Sequence, residues 1–291
     1  MKYIKRYIIL ISIALLGITS CIKEVEFTGE ETAPLPVLNC LVGDGDTIVY
    51  ADLTKSLFFL RRGDFAPITD AEVVLTCNGT EYPMTLVGDS VYMLRHTFAA
   101  GDVVSISATM PEFGTLTSET SLVPVRPTVS MTELKMEGND AKSFTIKFLN
   151  NNPGNTFYKV SVFSKVQSDS IVDSTWNKYI SCYDSRVLLT NSDFPSVNEG
   201  HFLLFPGRNF SGDTCTLTID FEETMEPRLS YYVEVLSIDE SLYKYLSTAY
   251  SYYSSRNNPF TEPVQVFTNI NGGLGVIGAQ SKAVALIRKE S

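Results

Sequence analysis

The sequence predicts an all-β protein built as two β-sandwich domains, the second with one inserted helix. Three observations carry this expectation. Short runs of alternating apolar and polar residues recur along the chain with turn residues between them. Aromatic residues are abundant, 15 Tyr and 17 Phe, and their shape suits a pleated, half-buried surface. Midway, Pro124-Val125-Arg126-Pro127 interrupts the series, because two prolines hold the chain extended and remove ladder donors. Hydrophobic residues make up 44% of the 291, which excludes disorder as the main state.

The elements follow in order. Runs 37–42 and 47–53 flank Gly43-Asp44-Gly45-Asp46, whose glycines suit a hairpin turn. Runs 71–77 and 81–87 flank Asn78-Gly79-Thr80, a second hairpin signal, and 90–98, 102–110 and 114–122 complete a first domain over 37–124. Beyond the proline linker, 130–136, 143–149, 157–166, 174–183, 214–221 and 231–238 form the second domain over 125–291. Its buried faces show as Phe144, Ile146, Phe148 and as Tyr158, Val160, Val162. Residues 191–210, rich in Asn, Pro, Gly and Phe, read as a long binding loop with Phe194, His201, Phe202, Phe205 and Phe210 as candidate contacts. Ser237 and Glu240 have the spacing of a capping box. Leu242, Tyr245, Leu246, Ala249, Tyr250 and Tyr253 recur at helical intervals, so a helix near 238–256 should pack that stripe on the sheet. Runs 264–270 and 283–287 are the last expected strands. Two local resemblances accompany this reading: 67–75 resembles the start of transthyretin-like and immunoglobulin-like accessory domains, and the second domain resembles a fibronectin type III-like sandwich with long inserts.

The amino-terminus sets the compartment. Lys2, Lys5 and Arg6 precede an apolar run over 7–18 broken by Ser12 and Gly17, the n-region and h-region of a secretory signal. The run is shorter than a membrane-spanning helix needs. It ends in Leu16-Gly17-Ile18-Thr19-Ser20-Cys21, which resembles the bacterial lipobox. The resemblance implies removal of 1–20, acylation of Cys21 and a lipidated tether over 21–36; several acyl chains bury enough methylenes to hold a protein on a membrane. Glu24, Glu26, Glu30 and Glu31 follow, diluted by Val25 and Phe27. This run resembles the signal that sends Bacteroidetes lipoproteins to the outer-membrane surface, and it favours an outward-facing orientation. Because the leader carries three cations and no acid, its removal leaves 271 residues and takes the net charge from -10 to −13. With 23 Lys+Arg against 33 Asp+Glu, binding of nucleic acid by counterion release is excluded.

Little chemistry is written in the remaining motifs. Cys40 with Cys77 and Cys182 with Cys215 are candidate disulfides, each worth ~3–4 kcal/mol by loop-closure entropy. The other reading, buried thiols acting as small apolar residues, stays open beside it. No CxxC spacing supports a cysteine metal or redox site. His96 and His201 lack any paired-histidine spacing and read as structural. Gly273-Leu274-Gly275-Val276-Ile277-Gly278 has the letters of a dinucleotide fingerprint, but too few residues follow for the helix and strand that fingerprint needs, so a glycine-rich turn or bulge is expected. Asp44 and Asp46 match the first ligand positions of a calcium loop, yet Ile48 and Val49 follow where oxygen donors belong. Glu222, Glu223 and Glu226 read as a solvated edge. Asp89-Ser90-Val91 and Asp169-Ser170-Ile171 resemble a short O-glycosylation sequon of Bacteroidetes secreted proteins. No cofactor and no metal are expected.

One resemblance covers nearly the whole chain. Asn258-Pro259-Phe260-Thr261-Glu262-Pro263 and Asn269-Ile270-Asn271-Gly272-Gly273-Leu274-Gly275, preceded by the Tyr-rich helix, resemble a Bacteroidetes family of outer-membrane lipoproteins with a domain of unknown function. Members are often encoded beside TonB-dependent receptors. The resemblance therefore implies an accessory role beside such a β-barrel in uptake or envelope assembly, and it supplies no catalytic residues. The expectation is a lipid-anchored, non-enzymatic binding or scaffold protein of the outer membrane, with a small-molecule, glycan or peptide ligand left unnamed. The rival classes are a surface hydrolase of glycans or peptides working through loop carboxylates, and an adhesin or fimbria-type subunit.

Overall fold

Period-two alternation is realised strand by strand. In β1 (Pro36–Gly43) and β2 (Ile48–Lys55), Leu38, Cys40, Val42, Val49, Ala51 and Leu53 all point to one side and are buried. Between them Gly45 takes a left-handed φ of 83° and the Asp46 amide donates to the Gly43 carbonyl, closing the expected hairpin. The computed structural model describes residues 32–58, 63–137, 140–151, 155–167, 172–176, 179–188, 196–197, 199–221, 230–255 and 264–289. Cys21, Phe194, residues 222–229, the Asp169 sequon and the segment Asn258, Pro259, Phe260, Glu262, Pro263 lie outside these residues. Pro34–Ser291 clusters as one compact unit.

The amino-terminal half continues with β3 (Glu72–Cys77), β4 (Thr80–Pro83), β5 (Thr85–Leu86), β6 (Val91–Arg95), β7 (Val103–Met110), β8 (Gly114–Ser118) and β9 (Ser121–Leu122). The β3–β4 turn is the Asn78-Gly79 signal read from sequence, both residues at positive φ. Next come β10 (Val129–Glu137), β11 (Asp140–Leu149), β12 (Phe157–Gln167), β13 (Val172–Trp176) and β14 (Ile180–Ser181). After the one-turn helix α1 (Ser185–Leu188) follow β15 (Glu199–Gly200), β16 (Leu203–Pro206), β17 (Thr214–Phe221) and β18 (Ser230–Ile238). The chain ends with helix α2 (Glu240–Ser255), β19 (Ile270–Asn271), β20 (Leu274–Leu286) and β21 (Arg288–Lys289).

Three sheets form. The largest runs β13-β12-β18-β20-β1-β2-β6-β5, with β16 also on β12. Its β1–β2–β6 side faces the sheet β19-β8-β7-β3-β4 across a core of Leu38, Leu53, Tyr92, Leu75, Ile106 and Leu116. Its β12–β18 side faces the sheet β15-β14-β17-β11-β10-β21 across Tyr158, Val160, Phe205, Val233, Phe144, Phe148 and Leu217. The all-β architecture of sandwiched sheets is thus present, but the chain is not divided at residue 124. Strand β20 pairs parallel with β1 from Leu274 to Gln280 and antiparallel with β18 from Gln280 to Leu286, so one strand runs through both cores. Ile270, Ile277 and Ala279 belong to the first core and Ile287 to the second. A sequence read locally assigns the last strand to the domain that precedes it, and the long-range parallel pairing with β1 overrides that assignment.

The glycines of the closing turn are required by contact. Gly272 and Gly275 sit at φ of 86° and 112°; a Cβ on Gly273 would meet the Pro36 carbonyl oxygen at 2.5 Å, and one on Gly275 the Leu38 carbonyl carbon at 2.7 Å. Beside them the buried Asn269 acts as a substitute strand. Its Nδ2 donates to the Ile277 carbonyl at 2.8 Å and its Oδ1 accepts from the Ile277 amide at 3.0 Å. Residues 264–269, expected as strand, are not; only Ile270–Asn271 pairs, with β8.

Helix α2 lies on the outer face of the large sheet, over Phe157, Leu204, Leu236 and Ile238. Its buried residues are Leu242, Tyr243 and Ser247, with Leu246 and Tyr250 packed beside them, whereas Tyr253 is exposed. The expected stripe is therefore turned by part of a helical step, with Tyr243 and the small Ser247 on the buried face. A Cβ on Gly278 of β20 would meet Leu242 Cβ at 2.9 Å. The expected capping box is absent too: Ser237 lies inside β18 with its hydroxyl buried and unpartnered, and Asp239 is the cap, its Oδ1 accepting from the Leu242 amide at 3.0 Å.

All four described cysteines are buried free thiols. For Cys182 and Cys215 the register explains it. The Ser181–Asp220 pairing, continued by one residue, sets Cys182 beside Ile219, four positions from Cys215 along β17, roughly 13 Å at strand rise, beyond the reach of a disulfide. Burial pushes the Cys40 and Cys215 thiols up to about 12 and raises Cys77 and Cys182 as well, so all four behave as small apolar side chains.

Candidate functional site: a cleft where the two sandwiches meet

The proline linker does more than join the halves. Ser281 Oγ donates to the Pro124 carbonyl at 2.6 Å, Arg126 Nη2 donates to the Asp44 carbonyl at 2.9 Å, and Asn151 Nδ2 donates to the Arg126 carbonyl at 3.2 Å. Held in this way, the linker forms one wall of a cleft of about 540 Å³. The other walls are Asn151, Asn155 and Thr156, the first turn of α2 and Phe267. Leu122 and Val125, 48% and 54% exposed, supply apolar surface with Pro124 and Phe267, and Glu119, Thr120, Asn155, Glu240 and Ser241 supply polar groups. Lys244 is paired with Glu240 at 2.6 Å and lies 5.6 Å over the Phe267 ring.

Asp239 is the buried carboxyl of this cleft. It joins the two halves physically: its backbone amide donates to the Ala279 carbonyl at 3.0 Å, and its Oδ1 accepts from the Ala279 amide at 3.2 Å as well as from the helix. Burial raises its pKa, against hydrogen bonds from the Leu242 and Ala279 amides and from Ser121. The folded protein therefore holds this proton to higher pH than the unfolded chain does. Stability from the group is fully present below the unfolded value near 3.8 and is lost as pH rises through the folded one. Asp239→Asn keeps the Oδ1 acceptor, so at pH 7 it should be at least as stable as the parent, and the parent should gain on it at pH 4. Asp239→Ala removes the cap and should cost about 1–2 kcal/mol at pH 7. Urea denaturation of the three proteins at both pH values checks this.

The residues singled out from sequence lie elsewhere. Residues 203–206 are strand rather than loop, and Phe205 and Phe210 are buried in the second core, with the Arg186 guanidinium 4.4 Å over Phe210. Phe202 packs edge-on against Tyr250 under Lys159, and His201 is exposed near Tyr179. None of these lines the cleft. His96 is wedged between Tyr82 and Phe98, 4.3 and 4.8 Å between ring centres. Ser90, in the first sequon-like triplet, donates its hydroxyl to Asp52. Among the described residues no three of His, Cys, Asp and Glu gather as metal ligands, and no helix is long and apolar enough to cross a membrane. The cleft as a site has no local signature because its residues come from five separated segments; Asp239, an N-cap type just ahead of a helical run, carries a local signal for the helix start alone.

A family model described as a domain of unknown function, DUF4249, matches residues 22–285. The chain belongs to this family. The match spans both halves of the DUF4249 fold, including the shared strand β20 as far as Ala285. No curated protein matches the chain. Among solved structures, a candidate carbohydrate-binding protein from Bacteroides uniformis aligns at 10% identity and a TM-score of 0.20, over 70% of this chain and 89% of that one. The collagen-binding domain of the surface protein RspB from Erysipelothrix rhusiopathiae aligns at 9% identity and a TM-score of 0.21, over 87% and 96%. Likeness this remote says nothing about what the DUF4249 chain binds.

Proposed function

We propose that this DUF4249 protein is a lipid-anchored, non-enzymatic binding or scaffold protein of the outer membrane, working with a TonB-dependent transporter, and that its ligand sits in the cleft between the sandwiches. The observation that carries the binding role is the cleft itself. Its volume falls in the range of small-ligand sites, its walls mix apolar and hydrogen-bonding groups, and it lies at a junction held rigid from both sides. Anchoring rests on the leader and Cys21, and the transporter partnership on the family resemblance of the carboxy-terminal motifs. Binding is a better reading than hydrolysis because the cleft's buried carboxyl is already committed, one oxygen accepting from two backbone amides.

The test is isolation of the full protein from outer membranes in mild detergent. The expected result is acyl mass on Cys21 and a co-purifying TonB-dependent β-barrel; an unacylated, solitary monomer would overturn the reading. Binding by the cleft is checked with panels of oligosaccharides and short peptides. Leu122→Arg with Val125→Arg, both on exposed positions, should abolish whatever binding the parent shows, and unchanged binding would place the ligand elsewhere.

A further inference from the structure

Two elements bring charge to the cleft between the sandwiches, and the charges do not balance. The first turn of α2 supplies Glu240 and Lys244, which neutralise each other at 2.6 Å. Asp239, buried at the start of the same helix, is committed to the Leu242 and Ala279 amides. The turn between β8 and β9 supplies Glu119, an exposed residue whose carboxylate has no ion pair or hydrogen bond among the described residues. One carboxylate is therefore left over for a ligand, in a chain of net charge -10. The positive end of the α2 dipole, which would otherwise draw an anion, is already answered by Asp239 and by Glu240 in its first turn.

We propose that the cleft takes an extended peptide segment in which a Lys or Arg stands beside aliphatic residues, the cation at Glu119 and the aliphatic side chains on Leu122 and Val125. The proposal rests on the cleft being the ligand site. Leu122, Pro124 and Val125 give an apolar wall, and Thr120, Asn155 and Ser241 carry side chains that both donate and accept, as a peptide main chain requires. A Lys or Arg stem is itself apolar, so it can lie along that wall while its head reaches the carboxylate. The walls are fixed before any ligand arrives: the Phe267 amide donates to Thr248 Oγ1 at 2.9 Å, Thr156 Oγ1 donates to the Asn151 carbonyl at 2.8 Å, and the Glu119 amide donates to the Asn269 carbonyl at 3.0 Å. Phe267 already carries the Lys244 ammonium over its ring at 5.6 Å, so it is a poor platform for stacking a sugar. The acidic field of the chain concentrates cationic ligands and turns away anionic ones.

The test is calorimetric titration of the mature chain, residues 21–291, with short end-blocked peptides that differ at one position between leucine and valine: lysine, its uncharged isostere norleucine, or glutamate. The expected result is a lysine peptide bound at least about fivefold more tightly than the norleucine peptide, and no measurable binding of the glutamate peptide. Glu119→Gln, at an exposed position whose backbone bond to Asn269 stays in place, should bring the lysine preference below about twofold, and Glu119→Lys should turn it toward glutamate. A lysine preference that survives Glu119→Gln, equal binding of the three peptides, or failure of every peptide to bind, with or without binding of neutral oligosaccharides, would overturn the proposal. Failure of the cleft reading shows separately: Leu122→Arg with Val125→Arg would then leave all binding intact, whereas a wrong ligand class leaves that double variant unable to bind whatever the parent takes.

Discussion

Gly275→Ala is expected to abolish the folded state or to cost more than ~4 kcal/mol. Two mechanisms act together. The residue sits at φ 112°, which an L side chain resists, and its Cβ would press into the Leu38 backbone, with the carbonyl carbon at 2.7 Å and the amide nitrogen at 2.9 Å. Neither neighbour is a flexible side chain that could turn aside. The parallel ladder from Val37–Leu274 to Gly43–Gln280 would have to open, and with it the junction that Asn269 and Asp239 brace. Gly79→Ala is the control. It also sits at positive φ, but a Cβ there meets nothing within 4 Å, so only the conformational strain of about 1 kcal/mol should appear. Circular dichroism and urea denaturation of both variants measure the difference.

Asn150→Leu is expected to cost about 3–5 kcal/mol, because one buried amide satisfies several groups at once. Its Nδ2 reaches the carbonyls of Gly207, Phe210 and Gly212 at 3.1, 3.4 and 3.3 Å, and its Oδ1 accepts from the Tyr158 hydroxyl at 3.1 Å. Leucine fills a comparable volume but leaves those carbonyls and the hydroxyl without it in a dry core, where burial already pushes the Tyr158 hydroxyl up. Tyr158→Phe removes only the donor and should cost about 1–2 kcal/mol. The double variant should be less destabilised than the sum of the two, since one shared hydrogen bond is counted in both. Equilibrium denaturation of the set provides the cycle.

What sequence made legible was local. The Gly43–Asp46 and Asn78–Gly79 turns, the alternating faces of β11, β12 and β17 and the position of α2 could all be read because each is decided within a few residues. The glycine cluster was recognised as a backbone requirement, but what it approaches, β1 more than 230 positions earlier, has no local trace. The same gap explains the domain division at 124: Pro124 does mark a change of sheet, yet it cannot announce that the chain's last strand returns to the first. Phe205 and Phe210 read as loop residues because Pro206, Gly207 and Asn209 lie between them. In the fold those residues form a 3₁₀ turn that carries both rings into the core. The cleft was out of reach for the related reason that Glu119, Asn155, Asp239 and Phe267 meet only after both sheets have closed.

Strand β20 makes the two sandwiches one body, with the cleft as its seam. Differential scanning calorimetry of the mature chain tests this most directly. A single transition whose calorimetric and van't Hoff enthalpies agree is the expected result. Two resolved transitions, one lost in a chain truncated before Asn269 and the other retained, would contradict it.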